Sequence, residues 1–195
     1  MTTAEPPRAR GQRTRAGILE QAAALFAARA PDAVSVADVA EAAGVFPSQI
    51  TYYFRSKDSL FVHAAFALLL RDAERLEPVG RRQRTPEAFR RALARTALAL
   101  PSVPLVTRAL AVAHARPELH AAVQRDLTLL FRSAQRYLEQ VLAERDWVVD
   151  RTPETETRTF WSTVLGARLV SGSGFGGRSA DVDLAGVLTV RARRG

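Results

Sequence analysis

The chain has 195 residues, a formal net charge of +8 and a hydrophobic content of 47%. A chain of this length and hydrophobic content can bury a core, which excludes a wholly disordered protein. It contains no cysteine, which excludes disulfides and thiolate metal sites and is compatible with a reducing compartment.

The N-terminal end combines a basic segment with a first predicted helix. Residues 1–11 contain two prolines and a glycine and are predicted to form a disordered basic arm. A flexible basic arm suits contact with phosphates or the minor groove, although a solubilising tail has the same composition. The first helix is predicted from residue 12 to residue 30. The arginines of this region, with no acid among them, are Arg8, Arg10, Arg13 and Arg15.

The next segment, residues 35–57, has the pattern of two short helices joined by a tight turn. Ser35 and Asp38 form a helix-start signal, and Gly44 is suited to end that helix in the left-handed conformation. Pro47 begins a second helix, from which Ile50 points inward. A helix, a glycine turn and a short polar helix predict a helix-turn-helix whose second helix enters the major groove of DNA. The side chains predicted to point outward or to flank it are Ser48, Gln49, Thr51, Tyr52 and Tyr53.

The residues AEAAGV and YYFRSKDSL in this segment resemble the DNA-binding domain of the TetR (tetracycline repressor) family of bacterial transcriptional regulators. The resemblance covers about residues 13–60, and it departs from the common pattern at Phe46 and Thr51, where Ser and Tyr are usual. It implies that the chain binds double-stranded operator DNA. The expected DNA contacts are Arg13, Arg15 and Lys57 on phosphates, Gln49 and Thr51 on base edges, and Ser35, Ser48, Tyr52 and Tyr53 around them.

The remaining residues are predicted to be helical. A long helix over 57–77 would connect two domains, followed by a loop at 78–84 and helices at 86–101, 104–115 and 117–144. After a loop at 146–151, a helix starts at Thr152 and runs into SGSGFGG at 171–177, and a short last helix covers 181–193. The predicted fold is all-α with about nine helices and no strand. Residues 12–57 form the DNA-binding domain, and residues 58–195 form a larger effector-binding and dimerisation domain.

No pattern for catalysis is present. The three histidines, His63, His114 and His120, lack metal-ligand or triad spacing. The glycines of SGSGFGG lack the GK[ST] ending of a phosphate loop. The sequence therefore predicts no enzyme, no metal and no cofactor. The N-terminus lacks a secretory signal, and the longest apolar run, 61–70, is too short to span a bilayer. A cytoplasmic, nucleoid-associated bacterial protein with no membrane partner is expected.

The helix that starts at Thr152 has two apolar rows. One row contains Phe160, Val164 and Ala167, and the other contains Trp161, Leu165 and Leu169. One row would face the core and the other a second copy of the chain, unless the helix is central to a single domain. The resemblance implies a homodimer held by a four-helix bundle. The predicted interface residues are Trp161, Leu165, Leu169, Leu184, Val187 and Leu188.

These features predict a ligand-responsive repressor that binds a (pseudo)palindromic operator as a homodimer and is released by a small apolar or amphipathic effector. The alternative is a DNA-binding or scaffold protein without such an effector, regulated by protein contact or abundance. A cavity with apolar walls and a few polar groups would favour the first. The residues predicted to line it, which could equally be plain core, are Phe89, Leu93, Leu110, Phe131 and Trp161.

Overall fold

A computed structural model describes residues 7–174 and 182–193, and most of them lie in helices. The helices are α1 (Pro7–Ala28), α2 (Val36–Ala43), α3 (Pro47–Phe54), α4 (Lys57–Ala73), α5 (Leu76–Arg81), α6 (Pro86–Leu98), α7 (Val103–His114), α8 (His120–Arg145), α9 (Pro153–Gly172) and α10 (Leu184–Val187). Two-residue strands, β1 (Trp147–Val148) and β2 (Arg191–Ala192), pair antiparallel. The prediction of an all-α fold is confirmed.

The predicted helix-turn-helix forms from α2 and α3. The backbone N–H of Asp38 donates to Ser35 Oγ at 3.0 Å, and the N–H of Ser35 donates to Asp38 Oδ2 at 2.7 Å. These hydrogen bonds hold the pKa of Asp38 below its ordinary value. Gly44 ends α2 with φ 63°, a conformation that favours glycine. Both ends of α2 are therefore fixed by local interactions.

Helix α4 belongs to both halves of the molecule. It begins at Lys57, directly after the turn that follows α3, and Ser56 caps it by accepting the N–H of Ser59 at 3.1 Å. Phe61 packs edge to face on Phe26 of α1, with ring centroids 5.1 Å apart. Other surfaces of α4 pack against α7 and α8. A single helix thus connects the helix-turn-helix to the C-terminal half.

A buried carboxylate holds the C-terminal segment on α9. Glu156 is fully buried and accepts hydrogen bonds from Arg151 Nε (2.7 Å), Thr189 Oγ1 (2.7 Å) and the backbone N–H of Thr189 (2.9 Å). Burial alone would raise the pKa of Glu156, but these hydrogen bonds outweigh it and hold the pKa below its ordinary value. The charged form of Glu156 therefore favours the folded state.

Two predicted loops are helical in the structure. Helix α1 starts at Pro7, so residues 7–11 of the predicted disordered arm are helical; proline suits the first turn of a helix. Residues 1–6 lie outside the described residues. Helix α5 occupies part of the predicted loop 78–84, because Pro78 falls in its first turn, where the backbone N–H groups have no helical partner. Gly80 allows α5 to pack closely against Tyr137 of α8, since a Cβ at this position would lie 2.0 Å from the Tyr137 hydroxyl.

The predicted helix over residues 181–193 is wrong for most of its length. Only Leu184–Val187 is helical within the described part of that range. The chain then becomes extended, because Glu156 binds the backbone of Thr189 and β2 pairs with β1. Strands of two residues are too short to leave an alternating pattern, which is why none was predicted. Residues 175–177 of SGSGFGG lie outside the described residues.

Candidate functional site

Helix α3 presents polar and aromatic side chains to solvent. Ile50 and Phe54 are buried beneath it, whereas Ser48, Thr51 and Tyr52 are exposed. The exposed fraction is 80% for Tyr52 and 78% for Phe46, which immediately precedes the helix. Phe46 is not among the predicted DNA contacts, although it departs from the common family pattern. Large exposed aromatic groups on a short helix are suited to contact with another molecule.

Three of the predicted DNA contacts also support the local fold. Ser35 caps α2, and Gln49 Oε1 accepts the backbone N–H of Phe46 at 3.1 Å. Tyr53 is half-buried, packs edge to face on Tyr52 with centroids 5.0 Å apart, and lies against Gly11 of α1. The side-chain amide nitrogen of Gln49 takes no part in the hydrogen bond to Phe46, so it is able to donate to another molecule.

The predicted phosphate contacts come from two helices. Arg13 is exposed on α1, and Lys57 is half-buried at the first position of α4. The guanidinium of Arg15 lies over the Phe54 ring, 4.8 Å from its centroid. This stacking fixes Arg15 against the end of α3 while its positive charge is retained.

The C-terminal half contains an apolar pocket with a cavity volume of about 60 Å³. Phe89, Leu93 and Trp161 line it, as the sequence predicted. Leu110 and Phe131 do not: both are half-buried elsewhere, and the Arg158 guanidinium lies 5.9 Å from the Phe131 ring centroid. The other lining residues are Leu70, Ala73, Glu74, Leu76, Glu77, Leu130, Ser133, Ala134, Tyr137, Leu138, Thr157, Phe160 and Leu188.

The pocket has few polar groups, and two of its hydroxyls already donate to the backbone. Tyr137 donates to the Glu77 carbonyl at 3.0 Å, and burial raises the pKa of Tyr137 to about 12. Tyr137 therefore stays protonated at neutral pH. Thr157 donates to the Pro153 carbonyl at 3.0 Å. The pocket is thus mainly apolar, and these two hydroxyls are already engaged by the backbone.

The last residues of α4 reach this pocket, and its middle contacts α8. Leu70 and Ala73 form part of the pocket wall. His63 Nδ1 lies 3.4 Å from Asp126 Oδ2 on α8, and the His63 ring packs edge to face on Phe54 with centroids 6.0 Å apart. Contacts of α4 therefore extend from the end of α3 to the pocket.

Most of the predicted dimer residues are buried within one chain. Trp161 and Leu165 of α9, together with Leu184 and Leu188, are at most 8% exposed, and Val187 is half-buried. Except for Leu169, both predicted apolar rows of α9 pack inside the monomer, because the C-terminal segment covers one side of this helix. Only Leu169, 54% exposed, remains available to a partner. The exposed residues near it are Ser162, Gly166 and Val170.

Two known families match different parts of the chain. Residues 86–189 match the family described as bacterial transcriptional repressor C-terminal, and residues 18–64 match that described as bacterial regulatory proteins, tetR family. The chain belongs to the TetR family. No protein of curated function matches the chain significantly.

Solved TetR-like structures share the fold over most of their length. A transcriptional regulator from Rhodococcus sp. RHA1 is 27% identical, with 89% of this chain and 91% of that chain covered and a TM-score of 0.71. A TetR-family regulator from Rhodococcus sp. is 20% identical (90% and 96% covered, TM-score 0.63), and one from Mesorhizobium loti MAFF303099 is 19% identical (91% and 91% covered, TM-score 0.59). The last two show likeness of fold alone.

TetR-family regulators are DNA-binding proteins rather than enzymes.

Within residues 7–174 and 182–193, no group of three His, Asp or Glu side chains could hold a metal ion. In the same residues, no single helix is long and apolar enough to cross a membrane, although the bent pair α6 and α7 meets the criteria of length and composition together.

Proposed function

We propose that this TetR-family chain is a ligand-responsive repressor that binds a (pseudo)palindromic operator as a homodimer and is released by a small molecule in the pocket. The observation that supports this most strongly is the position of α4. Its first residue follows the recognition helix α3, and Leu70 and Ala73 near its end line the pocket. A ligand that moves this end of α4 therefore acts directly on the DNA-reading element.

The proposed contacts to base edges come from the exposed side of α3. Thr51 and Ser48 supply hydroxyls, and the amide nitrogen of Gln49 supplies a donor. Phe46 and Tyr52 supply rings that can contact thymine methyl groups or sugars. Arg13, Arg15 and Lys57 are proposed to bind phosphates, which position the protein without carrying sequence information.

The homodimer is proposed to form along the exposed side of α9. Gly166 lies inside this helix, where glycine costs about 0.5–1 kcal/mol relative to alanine. Among the described residues, apart from its chain neighbours and the nearby backbone of α9 itself, no atom lies within 4 Å of the position that a Cβ would take, so the monomer does not require glycine there. A partner helix in close approach explains the glycine, and the exposed Leu169 and Val170 extend the same side.

The proposed switch depends on geometry. Two recognition helices must lie roughly 34–36 Å apart to enter successive major grooves on one side of B-DNA. Because α4 joins each recognition helix to its pocket, a ligand that tilts α4 changes this separation. The ligand must bind the changed state better than the operator-competent state, and a coupling of about 1–3 kcal/mol is typical.

Selection of binding sites from random duplex DNA tests the proposed function. We expect enrichment of a site with two-fold symmetry whose half-sites are each read by one protomer. Sites without symmetry would contradict binding as a dimer, and no enrichment would contradict sequence-specific DNA binding. A selected operator that no small molecule releases would favour the alternative of regulation by protein contact or abundance.

A further inference from the structure

The pocket carries charge of only one sign. Among the residues that the structure describes, its charged lining residues are Glu74 and Glu77, and no Arg, Lys or His lines it. We propose that the pocket takes an organic cation, an ammonium or similar group attached to an aromatic or aliphatic body. This inference rests on the proposed function, because it names the chemical class of the effector.

Neither carboxylate is held in a close ion pair, although Glu77 is attracted to the charge of Arg81. Among the described residues, neither the Glu74 nor the Glu77 side chain forms a hydrogen bond or an ion pair. Arg81 lies near this edge of the pocket, with its guanidinium 6.0 Å from the Tyr137 ring centroid. Its charge is already engaged, because Arg81 Nη1 donates to both carboxylate oxygens of Glu144 at 3.0 and 2.9 Å.

Glu74 lies between two helices beside the pocket. It is exposed and directly follows the last residue of α4, where the helix end carries partial negative charge and disfavours an acid. It also lies two residues before α5, whose first turn contains Glu77 and favours acids. The helix ends therefore account for Glu77 but act in opposite directions on Glu74, whose carboxylate adds negative charge beside the pocket.

The walls favour a cation over an anion. Phe89, Tyr137, Phe160 and Trp161 provide aromatic rings, whose electron-rich faces attract cations. An anion would need hydrogen-bond donors, and the hydroxyls of Tyr137 and Thr157 already donate to backbone carbonyls. Only Ser133 adds another hydroxyl to the lining. The pocket thus stabilises positive charge and offers little to negative charge.

Two probes of nearly identical shape test the inference. Benzyltrimethylammonium and 2,2-dimethylpropylbenzene differ in the replacement of a quaternary nitrogen by carbon. Their affinities for the full-length protein are measured by titration calorimetry at low ionic strength. We expect the cation to bind at least about tenfold more tightly, because it combines attraction to the carboxylates with attraction to the rings.

Matched variants assign the preference to the two glutamates. The double substitution Glu74→Gln with Glu77→Gln keeps the size of both side chains and leaves the Glu77 carbonyl that Tyr137 uses. It should reduce the preference for the cation to less than about threefold. Glu118→Gln, an exposed position outside the pocket, should leave the preference unchanged. Thermal melting of each variant checks that folding is retained.

Each remaining outcome overturns the inference. Equal or tighter binding of the uncharged probe would show an apolar pocket without charge selection, while the proposed effector site would stand. An unchanged preference in the double variant would remove the glutamates from the explanation. Binding of neither probe would also overturn the inference. The selection of operator DNA tests the proposed function separately, so that failure of one is distinguishable from failure of the other.

Discussion

Phe46 is the residue that most clearly separates the proposed DNA-reading surface of this chain from a plain structural helix. It occupies the position before α3, 78% exposed, where its backbone N–H is held by Gln49. Exposure to solvent does not stabilise a phenyl ring. Thymine methyl groups are apolar features of the major groove that such a ring could contact. The same cap fixes Gln49, so its carbonyl oxygen is already engaged by the backbone. The outward positions on α3 are predictable from the sequence, but a side-chain atom already bound to the backbone, such as Gln49 Oε1, is visible only in the structure.

The contact between Phe46 and a thymine methyl group predicts an effect of removing that methyl group. Replacing one thymine at a time by deoxyuridine in the selected operator should identify a position where affinity falls about fourfold, the effect of about 0.8 kcal/mol for one buried methyl group. Fluorescence anisotropy measures the affinities. Phe46→Ser should abolish the difference between thymine and uracil at that position. Leu129→Ser, an exposed leucine on α8, is the control and should retain it. If Phe46→Ser loses as much affinity as the wild type on each replacement, Phe46 does not read the methyl group.

At the scale of elements, the helix starts were predictable because they depend on local interactions. Features that depend on contacts between residues far apart in the sequence were not predictable. Ser35, Thr85 and Thr152 each accept a backbone N–H three residues later, so the sequence reveals these caps directly. The extended C-terminal segment depends instead on Glu156, 33 residues before Thr189. Helix periodicity also showed that α9 is apolar on two sides without showing what covers each side. The missed features are therefore those fixed by tertiary contacts.

Glu156 should stabilise the protein in a pH-dependent way. Its folded-state pKa is lowered, so its contribution is present above the pKa of glutamate in the unfolded chain and is lost as pH falls through the lower folded value. At pH 7, Glu156→Gln should lower the free energy of unfolding by about 1–3 kcal/mol, measured in urea. The difference from the wild type should shrink at pH 3.

Glu154→Gln is the matched control for this effect. Glu154 is exposed and pairs with Arg158 at 2.9 Å, so its replacement should change stability by less than about 1 kcal/mol. Equal losses for the two variants at pH 7 would mean that the buried hydrogen bonds of Glu156 do not hold the C-terminal segment.

At the scale of the whole molecule, each half of the chain gains its proposed role from the other. The recognition helices read DNA only if a dimer sets their separation, and the pocket matters only if α4 transmits its occupancy. The family resemblance in the sequence indicated this division of roles. It did not indicate the side of α9 that faces a partner, because exposure depends on how the C-terminal segment folds back.

Gly166 provides the most direct test of the dimer. Gly166→Arg should yield monomers, since the long charged side chain projects from the proposed contact surface while the monomer has open space around it. Gly166→Ala should remain dimeric and be slightly more stable, because alanine favours the helix. Sedimentation velocity at micromolar concentration distinguishes these states. A monomeric wild type, or a Gly166→Arg variant that dimerises normally, would exclude this surface as the interface.

Coupling between the pocket and the DNA-reading surface is the central claim, and reciprocal titration tests it most directly. The affinity of the selected operator is measured with and without saturating benzyltrimethylammonium, and the affinity of that cation is measured with and without operator. We expect each ligand to weaken the binding of the other by the same factor, roughly 5–150-fold. If both affinities are unchanged while each ligand still binds alone, α4 does not transmit occupancy of the pocket, and the proposed switch is contradicted.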